Sequence, residues 1–203
     1  AQCAIYLLKT LPCRARMRRD FYDIELSSLE DFQEKSTYEA CRFSGLDLTA
    51  QTIKGSKFID CTFEECNLSN CSLVEASFQG VHFNNCKLLG LHFEHANPFG
   101  FACVFVNCQM KHVSFYQLNL QNCRFEYCDL EGADFTEAKA KNISFLGSNL
   151  YDVIFDQTDL REVNFLEAKN LQLDPQNNQI EKAKFQTAQL EGLLLKYQLD
   201  ILH

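Results

Sequence analysis

Tryptophan is absent from this 203-residue chain, and basic residues are in the minority, with 19 lysines and arginines against 27 aspartates and glutamates. The formal net charge of -8 would repel nucleic acid and an anionic membrane surface, so charge alone predicts basic protein surfaces as partners. No apolar run approaches the roughly 18 residues that a membrane helix needs. The sequence therefore predicts neither direct nucleic-acid binding nor a membrane span.

Recognisable catalytic motifs are also missing. The chain has no glycine-rich phosphate loop and no serine or cysteine nucleophile paired with a base by a known motif. We therefore expect no enzymatic activity, no cofactor and no small-molecule substrate.

A large apolar content is what the chain does have. Hydrophobic residues make up 46% of it, and phenylalanine alone supplies 18 residues, which predicts one folded domain with a sizeable core. Residues 1–16 do not match the pattern that follows. We interpret them as sequence upstream of a native start at Met17, or as a disordered arm, because they lack the features of a secretory signal. Without them the charge becomes -8 - 3 = -11, because Lys9, Arg14 and Arg16 leave.

The dominant pattern is a period of five. Large apolar residues recur at that spacing from position 38 to position 165, with a small or modest residue two places before most of them. This period fits neither an α-helix nor a flat strand. If one coil contains 20 residues, then Phe43, Phe63 and Phe83 stack as one ladder. Phe105, Phe125, Phe145 and Phe165 form another, Phe115, Phe135 and Phe155 a third, and Leu48, Leu68 and Leu88 a fourth.

The phase slips by two residues between Phe93 and Phe105. Removing two residues returns Phe105 to the ladder of Phe43, Phe63 and Phe83, so the insertion preserves the coil. Pro98 cannot donate a backbone hydrogen bond and Gly100 relaxes the backbone, which favours a bulge or a short loop near residues 97–102.

Several segments resemble the A-(D/N)-(L/F)-x-x unit of pentapeptide repeat proteins, among them Cys66-Asn67-Leu68, Cys128-Asp129-Leu130 and Ala133-Asp134-Phe135. The resemblance covers about residues 36–170. It implies an all-β fold, a right-handed quadrilateral β-helix with four repeats per coil and inward-pointing central side chains. We expect an N-terminal cap over residues 17–36, the β-helix over 37–170, and a C-terminal cap, helix and dimerisation tail over 171–203.

The C-terminal passage predicts a last repeat-like strand at residues 182–185 and a short helix over 188–197, with Thr187 as its N-cap. This tail resembles that of the Qnr and MfpA group, the gyrase-protecting pentapeptide repeat proteins, in which it forms a twofold dimer. The resemblance implies a homodimer interface made of Leu190, Leu193, Leu194, Tyr197, Leu199, Ile201 and Leu202. The alternative is a cap folded onto its own coil.

Eleven cysteines suggest metal or disulfide chemistry, but nine of them stand at the inward position two residues before a central one. Their spacing of five differs from the CxxC pairs of structural zinc sites. We interpret them as small, buried, reduced core residues, which favours a cytoplasmic location. His92 and His95 lie near Glu94, with His112 close to the same side, but most of these positions face outward and predict no metal site.

Acidic residues are concentrated at outward positions in the C-terminal half. Either they form a solvated, solubilising face, or they form a partner-binding acidic strip composed of Asp129, Glu131, Asp134, Glu137, Asp152, Asp156, Asp159 and Glu162. The leading hypothesis is a DNA-mimicking protein that binds a type II topoisomerase, DNA gyrase or topoisomerase IV, and protects it from quinolones. The second hypothesis is a general protein-interaction scaffold whose contact is the loop of Pro98, Phe99, Gly100 and Phe101.

Overall fold

The structure, a computed structural model, describes residues 19–200. The predicted arm at residues 1–16 lies outside this range, as do Ile201 and Leu202 of the predicted dimer interface. Within it the chain forms a parallel β-helix with four faces, which confirms the predicted fold class. We number the faces in chain order, by the inward residues Tyr38 (face 1), Phe43 (face 2), Leu48 (face 3) and Ile53 (face 4), all of which are buried.

Two parallel sheets define faces 1 and 2. Face 1 is a four-stranded sheet of β1 (Asp20–Tyr22), β3 (Thr37–Glu39), β5 (Lys57–Ile59) and β7 (Ser77–Gln79). Face 2 is a six-stranded sheet of β2 (Glu25–Leu26), β4 (Arg42–Ser44), β6 (Thr62–Glu64), β8 (Val81–Asn84), β9 (Cys103–Val106) and β10 (Arg124–Glu126). Single parallel bridges such as Asp47 to Asn67 on face 3 and Thr52 to Ser72 on face 4 continue the same register between coils.

Each face is short because a residue in the left-handed conformation turns the chain at nearly every corner. Glu65, Asn70 and Glu75 have φ values of 54°, 55° and 59°, five residues apart. Such a residue cannot continue a strand, so the chain changes direction once per pentapeptide. The period of five is therefore a period of corners.

The core is built from stacked rings. On face 2 eight phenylalanines form one continuous stack with ring centroids 4.4 to 5.5 Å apart, comprising Phe43, Phe63, Phe83, Phe105, Phe125, Phe145, Phe165 and Phe185. The prediction that the two-residue slip returns Phe105 to the ladder of Phe43, Phe63 and Phe83 is confirmed, since Phe83 and Phe105 stack at 5.2 Å. Each such buried ring contributes about 1.5–3 kcal/mol.

A second aromatic column changes face midway along the helix. In the first coils it lies on face 1, where Phe58 and Phe78 stack at 5.5 Å. Further on it lies on face 4, where Phe93 and Phe115 stack at 4.9 Å. Phe101 fills the space at the change, with its ring 6.3 Å from that of Phe78 and 5.9 Å from that of Phe93.

The inserted residues lie at this change of face. The register between β8 and β9 is offset by 22 residues, and Phe83 pairs with Phe105. The loop is held by two local hydrogen bonds, from the Phe99 amide to Asn97 Oδ1 at 2.9 Å and from the Phe101 amide to the Pro98 carbonyl at 3.4 Å. The side chain of Phe99 is 78% exposed, whereas that of Phe101 is 3% exposed. The prediction that Phe101 is a partner contact is therefore wrong, because its ring belongs to the core.

The segment predicted as an N-terminal cap provides strands of its own. β1 pairs with β3 and β2 pairs with β4, so residues 20–26 begin the coil. A 3₁₀ turn at Leu29–Asp31 follows, and the ring of Phe32 stacks on that of Tyr38 at 5.5 Å. The Tyr38 hydroxyl donates to the Gln33 carbonyl at 3.0 Å, which satisfies the polar end of a fully buried ring.

The opposite end closes with a short helical segment. Phe185 stacks on Phe165, as the predicted last repeat requires. The segment then runs through a 3₁₀ turn (Thr187–Gln189), one α-helical turn, α1 (Glu191–Leu194), and a second 3₁₀ turn (Leu195–Tyr197). The predicted N-cap at Thr187 is wrong, because Gln186 caps the segment and exchanges hydrogen bonds with Gln189 in a capping box. None of the helices described in residues 19–200 has the length and apolar character required to cross a bilayer.

Two contacts fix this segment on the last coil. The buried side-chain amide of Gln189 donates through Nε2 to the carbonyl oxygens of Phe165 at 2.6 Å and Ala168 at 2.7 Å. Gly192 packs so closely on the Leu171 carbonyl oxygen that a Cβ atom at position 192 would overlap it. Leu193 is partly buried and packs against the core, so it contributes to the cap, while its place in a dimer interface stays a prediction.

Candidate functional site

The predicted acidic strip spreads over three faces. Face 3 carries Asp129 and Glu131, with Asp152 at its end. Face 4 carries Asp134, Glu137 and Asp156, and face 1 carries Asp159 and Glu162. The backbone ladder sets these positions. Asp134 pairs with Ile154 on the next coil, and the Glu137 amide donates to the Asp156 carbonyl at 2.8 Å.

Four of the eight carboxylates pair with cations of the protein, three in number. Lys111 Nζ lies 2.5 Å from Glu131 and 3.4 Å from Asp129. Lys141 pairs with Glu162 at 3.3 Å. Arg161 donates to both oxygens of Asp159 at 2.7 and 2.6 Å, and this guanidinium lowers the pKa of Asp159 from its ordinary value.

The other four, Asp134, Glu137, Asp152 and Asp156, make no ion pair with any lysine or arginine in residues 19–200. Three of them are nevertheless held in place by neutral donors. Asp134 Oδ1 accepts the Thr136 amide at 2.8 Å, Glu137 accepts from Gln117 Nε2 at 2.8 Å, and Asp156 accepts from Asn177 Nδ2. Within the predicted strip, the uncompensated charge thus lies on face 4 and on the corner that leads into it. We call these four residues the acidic patch.

Apolar side chains stand among these carboxylates. Ile154 is 50% exposed and Tyr151 is 47% exposed, and Tyr116 is exposed on face 4 of an earlier coil. The sequence interpretation missed them because it sorted outward positions by charge alone. The sequence does contain a signal for Ile154, because it is an apolar residue in an outward column whose other members include the polar residues His92, Ser114 and Asp134.

The loop and the tail present two further apolar surfaces. Phe99 projects from face 1, so it lies around the corner from face 4 and on the opposite side from face 3. At the C-terminal end an exposed apolar surface is formed by Leu190, Leu194, Leu195, Tyr197 and Leu199. Of the predicted interface residues in the described range, Leu190, Leu194, Tyr197 and Leu199 belong to this surface.

The nine cysteines between positions 41 and 128 are all free and buried. They are more than apolar filling. At the start of face 3 the thiols of Cys66, Cys86, Cys108 and Cys128 each lie 3.3 to 3.4 Å from the carbonyl oxygen of an inward phenylalanine one coil earlier, and equally close to a carbonyl oxygen of their own coil. Ser148 continues the same column and donates to the Phe125 carbonyl at 3.1 Å. Burial raises the pKa of Cys71 and Cys123 to about 12, which leaves these thiols protonated at neutral pH.

A histidine cluster lies on face 4 near the inserted loop. His92 Nδ1 is 2.9 Å from Glu94 Oε1, and the rings of His92 and His95 stack at 5.3 Å. His112 lies apart from them, where its ring covers Gly132 of the next coil. No group of three histidine, cysteine, aspartate or glutamate side chains in residues 19–200 is arranged to hold a metal ion.

Comparison with known proteins gives matches of two kinds in sequence. The family model described as pentapeptide repeats (8 copies) matches residues 41–80, and the one described as pentapeptide repeat region matches residues 76–152. Together they span residues 41–152, more than half of the chain. The pentapeptide repeat protein MfpA of Mycobacterium tuberculosis is 36% identical over 70 residues, which is 34% of this chain and 37% of that protein. The match therefore spans little more than a third of that relative's length.

Solved structures of other β-helices align over most of the chain. QnrB1, a plasmid-mediated fluoroquinolone resistance protein, aligns in its trypsin-treated form at 16% identity with a TM-score of 0.45, covering 91% of this chain and 98% of that one. HetL, a pentapeptide repeat protein involved in heterocyst differentiation regulation in the cyanobacterium Nostoc, aligns at 13% identity with a TM-score of 0.49, covering 82% of this chain and 84% of that one.

Proposed function

We propose that this chain, which belongs to the pentapeptide repeat family, is a non-enzymatic binding protein whose acidic patch imitates the charge of DNA. Its partner would be the basic DNA-binding surface of a type II topoisomerase, DNA gyrase or topoisomerase IV, and binding would lessen quinolone action. The observation that carries the proposal is the set of four uncompensated carboxylates, Asp134, Glu137, Asp152 and Asp156, on neighbouring coils of a rigid rod.

The scaffold makes this charge effective. Neighbouring parallel strands lie about 4.8 Å apart, so carboxylates on successive coils stay at a fixed, short spacing. Because the stacked core fixes the backbone, little conformational entropy of this surface is lost when a partner binds. Binding driven by such charge should weaken as salt is added, because the attraction is screened.

The proposed assembly is a homodimer formed through the exposed apolar surface at the C-terminal end. Leu190, Leu194 and Leu195 project from a segment that Gln189 anchors to the last coil, so the surface is presented on a fixed support. A second copy placed there would bury it and would extend the acidic rod in both directions. Static light scattering on a Leu190→Ser, Leu194→Ser variant tests this. We expect a dimer for the unaltered chain and a monomer for the variant, and a monomer in both cases contradicts the proposed assembly.

Gyrase supercoiling in the presence of ciprofloxacin tests the function. We expect the unaltered protein to protect or to inhibit the enzyme, and the Asp134→Asn, Asp152→Asn, Asp156→Asn variant to lose that effect. A matched control removes three exposed acids elsewhere, Glu39→Gln, Glu65→Gln and Glu167→Gln, and should retain it. Absence of any effect at micromolar unaltered protein would sink the proposal.

A second candidate function rests on Phe99. A ring that is 78% exposed on a loop held by two hydrogen bonds suits a general interaction scaffold, with the ring as anchor in a partner's apolar pocket. Since Phe99 and the acidic patch lie on different faces, the two functions predict different losses. Phe99→Ala should abolish partner capture if the scaffold function holds, and should leave the gyrase response unchanged if the topoisomerase function holds.

A further inference from the structure

We infer that the acidic patch recognises lysine- or arginine-bearing segments of a protein through an apolar centre, Ile154, and not through charge alone. The inference rests on the proposed function in one respect, that this face binds a basic partner, and it specifies how the partner is read.

Acidic residues lie on several sides of Ile154. Its side chain is 50% exposed on face 4. Asp134 is its ladder partner on the previous coil, Asp156 is the next outward residue along its own coil, and Asp152 stands two residues before it at the corner. Three carboxylates without a lysine or arginine partner in the described range therefore surround one exposed isoleucine.

The backbone holds this arrangement firmly. The Ile154 amide donates to the Ala133 carbonyl at 2.9 Å, and the Phe135 amide donates to the Ile154 carbonyl at 2.9 Å. Beneath the patch, the rings of Phe135 and Phe155 stack at 5.5 Å. Ile154 is therefore fixed above a packed core, and its exposure is set by the position of its strand.

The chemistry that fits such a surface is that of a long cationic side chain. Lysine and arginine have an apolar stem and a charged tip, and they place the stem on apolar surface while the tip reaches a charged or hydrated position. A stem lying on Ile154 brings its tip to one of the three carboxylates. Tyr151, three residues before Ile154 across the corner and 47% exposed, offers a ring face on which a guanidinium can stack.

This mode differs from DNA mimicry by charge alone. A phosphate backbone offers a basic partner no apolar centre, so a purely electrostatic surface should bind any polycation of equal charge equally well. The patch should instead bind peptides whose cationic side chains have an apolar stem more tightly than peptides whose cationic side chains lack one. The partner expected at the patch is therefore a basic segment of a protein.

The experiment uses the full chain and fluorescein-labelled peptides, with affinity measured by fluorescence anisotropy over a series of salt concentrations. One probe is an arginine dodecapeptide with alternating glycines, and the other replaces each arginine by 2-amino-3-guanidinopropionic acid, which keeps the charged guanidinium tip but has only one methylene as its stem. We expect the arginine peptide to bind at least about five-fold more tightly, which corresponds to about 1 kcal/mol. Equal affinity for the two peptides would overturn the inference, as would binding of neither at low salt.

Variants separate the apolar contribution from the charge. Ile154→Ser should remove most of the preference for arginine while leaving the salt dependence unchanged. Asp156→Asn should reduce the salt dependence and keep the preference. Leu166→Ser is the matched control, because Leu166 is 36% exposed on face 2, and it should change neither quantity. If Leu166→Ser weakens binding as much as Ile154→Ser does, the contact is non-specific and the inference fails.

Folding and the proposed function are controlled separately. Each variant should give the circular dichroism spectrum and the melting temperature of the unaltered chain, since all three positions are exposed or half-buried. Arginine-peptide binding that depends on Ile154, without any gyrase response, would support this inference and remove the topoisomerase as partner. A gyrase response that is insensitive to Ile154→Ser would support the proposed function and reject the apolar centre.

Discussion

The thiol of Cys86 lies within hydrogen-bond distance of the carbonyl oxygen of Phe63, 3.4 Å away on the preceding coil, and shares its one proton between that oxygen and the Asn84 carbonyl at 3.3 Å. The contact with Phe63 joins two coils inside the core, where water cannot replace either partner. The corner after Leu68 is built differently. There the Cys71 amide itself donates to the Leu68 carbonyl at 2.9 Å, and the nearest carbonyl acceptor of the Cys71 thiol, that of Ser72, is 4.0 Å away.

The two cysteines should therefore respond differently to substitution. Cys86→Ala loses both the buried sulfur and the hydrogen bond to Phe63, whereas Cys71→Ala loses essentially the sulfur alone. We expect Cys86→Ala to lower the free energy of unfolding by about 0.5–1.5 kcal/mol more than Cys71→Ala does. Cys86→Ser should recover part of the difference, because Ser148 makes the equivalent bond in the same column. Urea unfolding measures all three, and equal losses for the two alanine variants would rule out a structural role for the thiol bond.

Stability should also depend on pH through the buried thiols. Burial raises the pKa of Cys123 from the ordinary value of 9.0 to about 12. Below pH 9 the thiol is protonated in both states, so the full stability is present. Between pH 9 and 12 only the unfolded state ionises, so stability falls as pH rises, by up to about 1.4 kcal/mol per pH unit for one such group. Urea midpoints at pH 8.5 and 10.5 should fall less for Cys123→Ala than for the unaltered chain. A parallel fall in both proteins would contradict the assignment.

The inserted loop should separate binding from folding. Phe101→Ala removes a ring packed between Phe78 and Phe93 and should destabilise the chain by about 3–5 kcal/mol. Phe99→Ala removes an exposed ring and should leave the melting temperature within a degree or two, since exposed substitutions rarely change stability by more than about 0.5 kcal/mol. Thermal unfolding followed by circular dichroism gives both values. A comparable loss from the two substitutions would mean that Phe99 also packs in the core.

Gly192 should be essential to the C-terminal cap. A methyl group there overlaps the Leu171 carbonyl oxygen, and backbone cannot move aside as a flexible side chain can. We expect Gly192→Ala to detach the helical segment, to expose the end of the coil and to abolish the proposed dimer. Gly45→Ala is the control for backbone strain, because its φ is 63° but the space around it is open. It should cost only about 1 kcal/mol and should keep the oligomeric state measured by light scattering. A Gly192→Ala variant that stays dimeric with an unchanged melting temperature would contradict this view of the cap.

Much of the architecture could be predicted because the repeat itself is periodic. Once 20 residues make a coil, the sequence gives the residue types that stack in each column. The stack of eight rings from Phe43 to Phe185 can then be predicted if the two-residue slip is taken into account. The change of the second aromatic column from face 1 to face 4 can also be predicted from the sequence. The same two-residue slip continues the column of Phe58 and Phe78 into Leu120, and the column of Ile53 and Leu73 into Phe93 and Phe115.

The C-terminal segment was predicted less well, since helical periodicity does not distinguish an α-helix from a mixture of α and 3₁₀ turns. The choice of Gln186 over Thr187 as N-cap depends on Gln189, whose side chain is drawn inward by carbonyl groups of the last coil. Those carbonyl groups come from residues more than 20 positions away, beyond the reach of local pattern analysis.

The sequence by itself determined the coil, its four columns and the outward placement of the acids, because a strict period forces residues 20 apart into contact. Only the tertiary structure decided which of those residues are left available to a partner. It paired Asp129, Glu131, Asp159 and Glu162 with cations, left Asp134, Glu137, Asp152 and Asp156 uncompensated, placed Ile154 at their centre, and buried Phe101 while exposing Phe99. The physical reason is that a repeat fixes the backbone position of each residue, whereas ion pairs and exposure depend on the side chains that meet across neighbouring coils and corners.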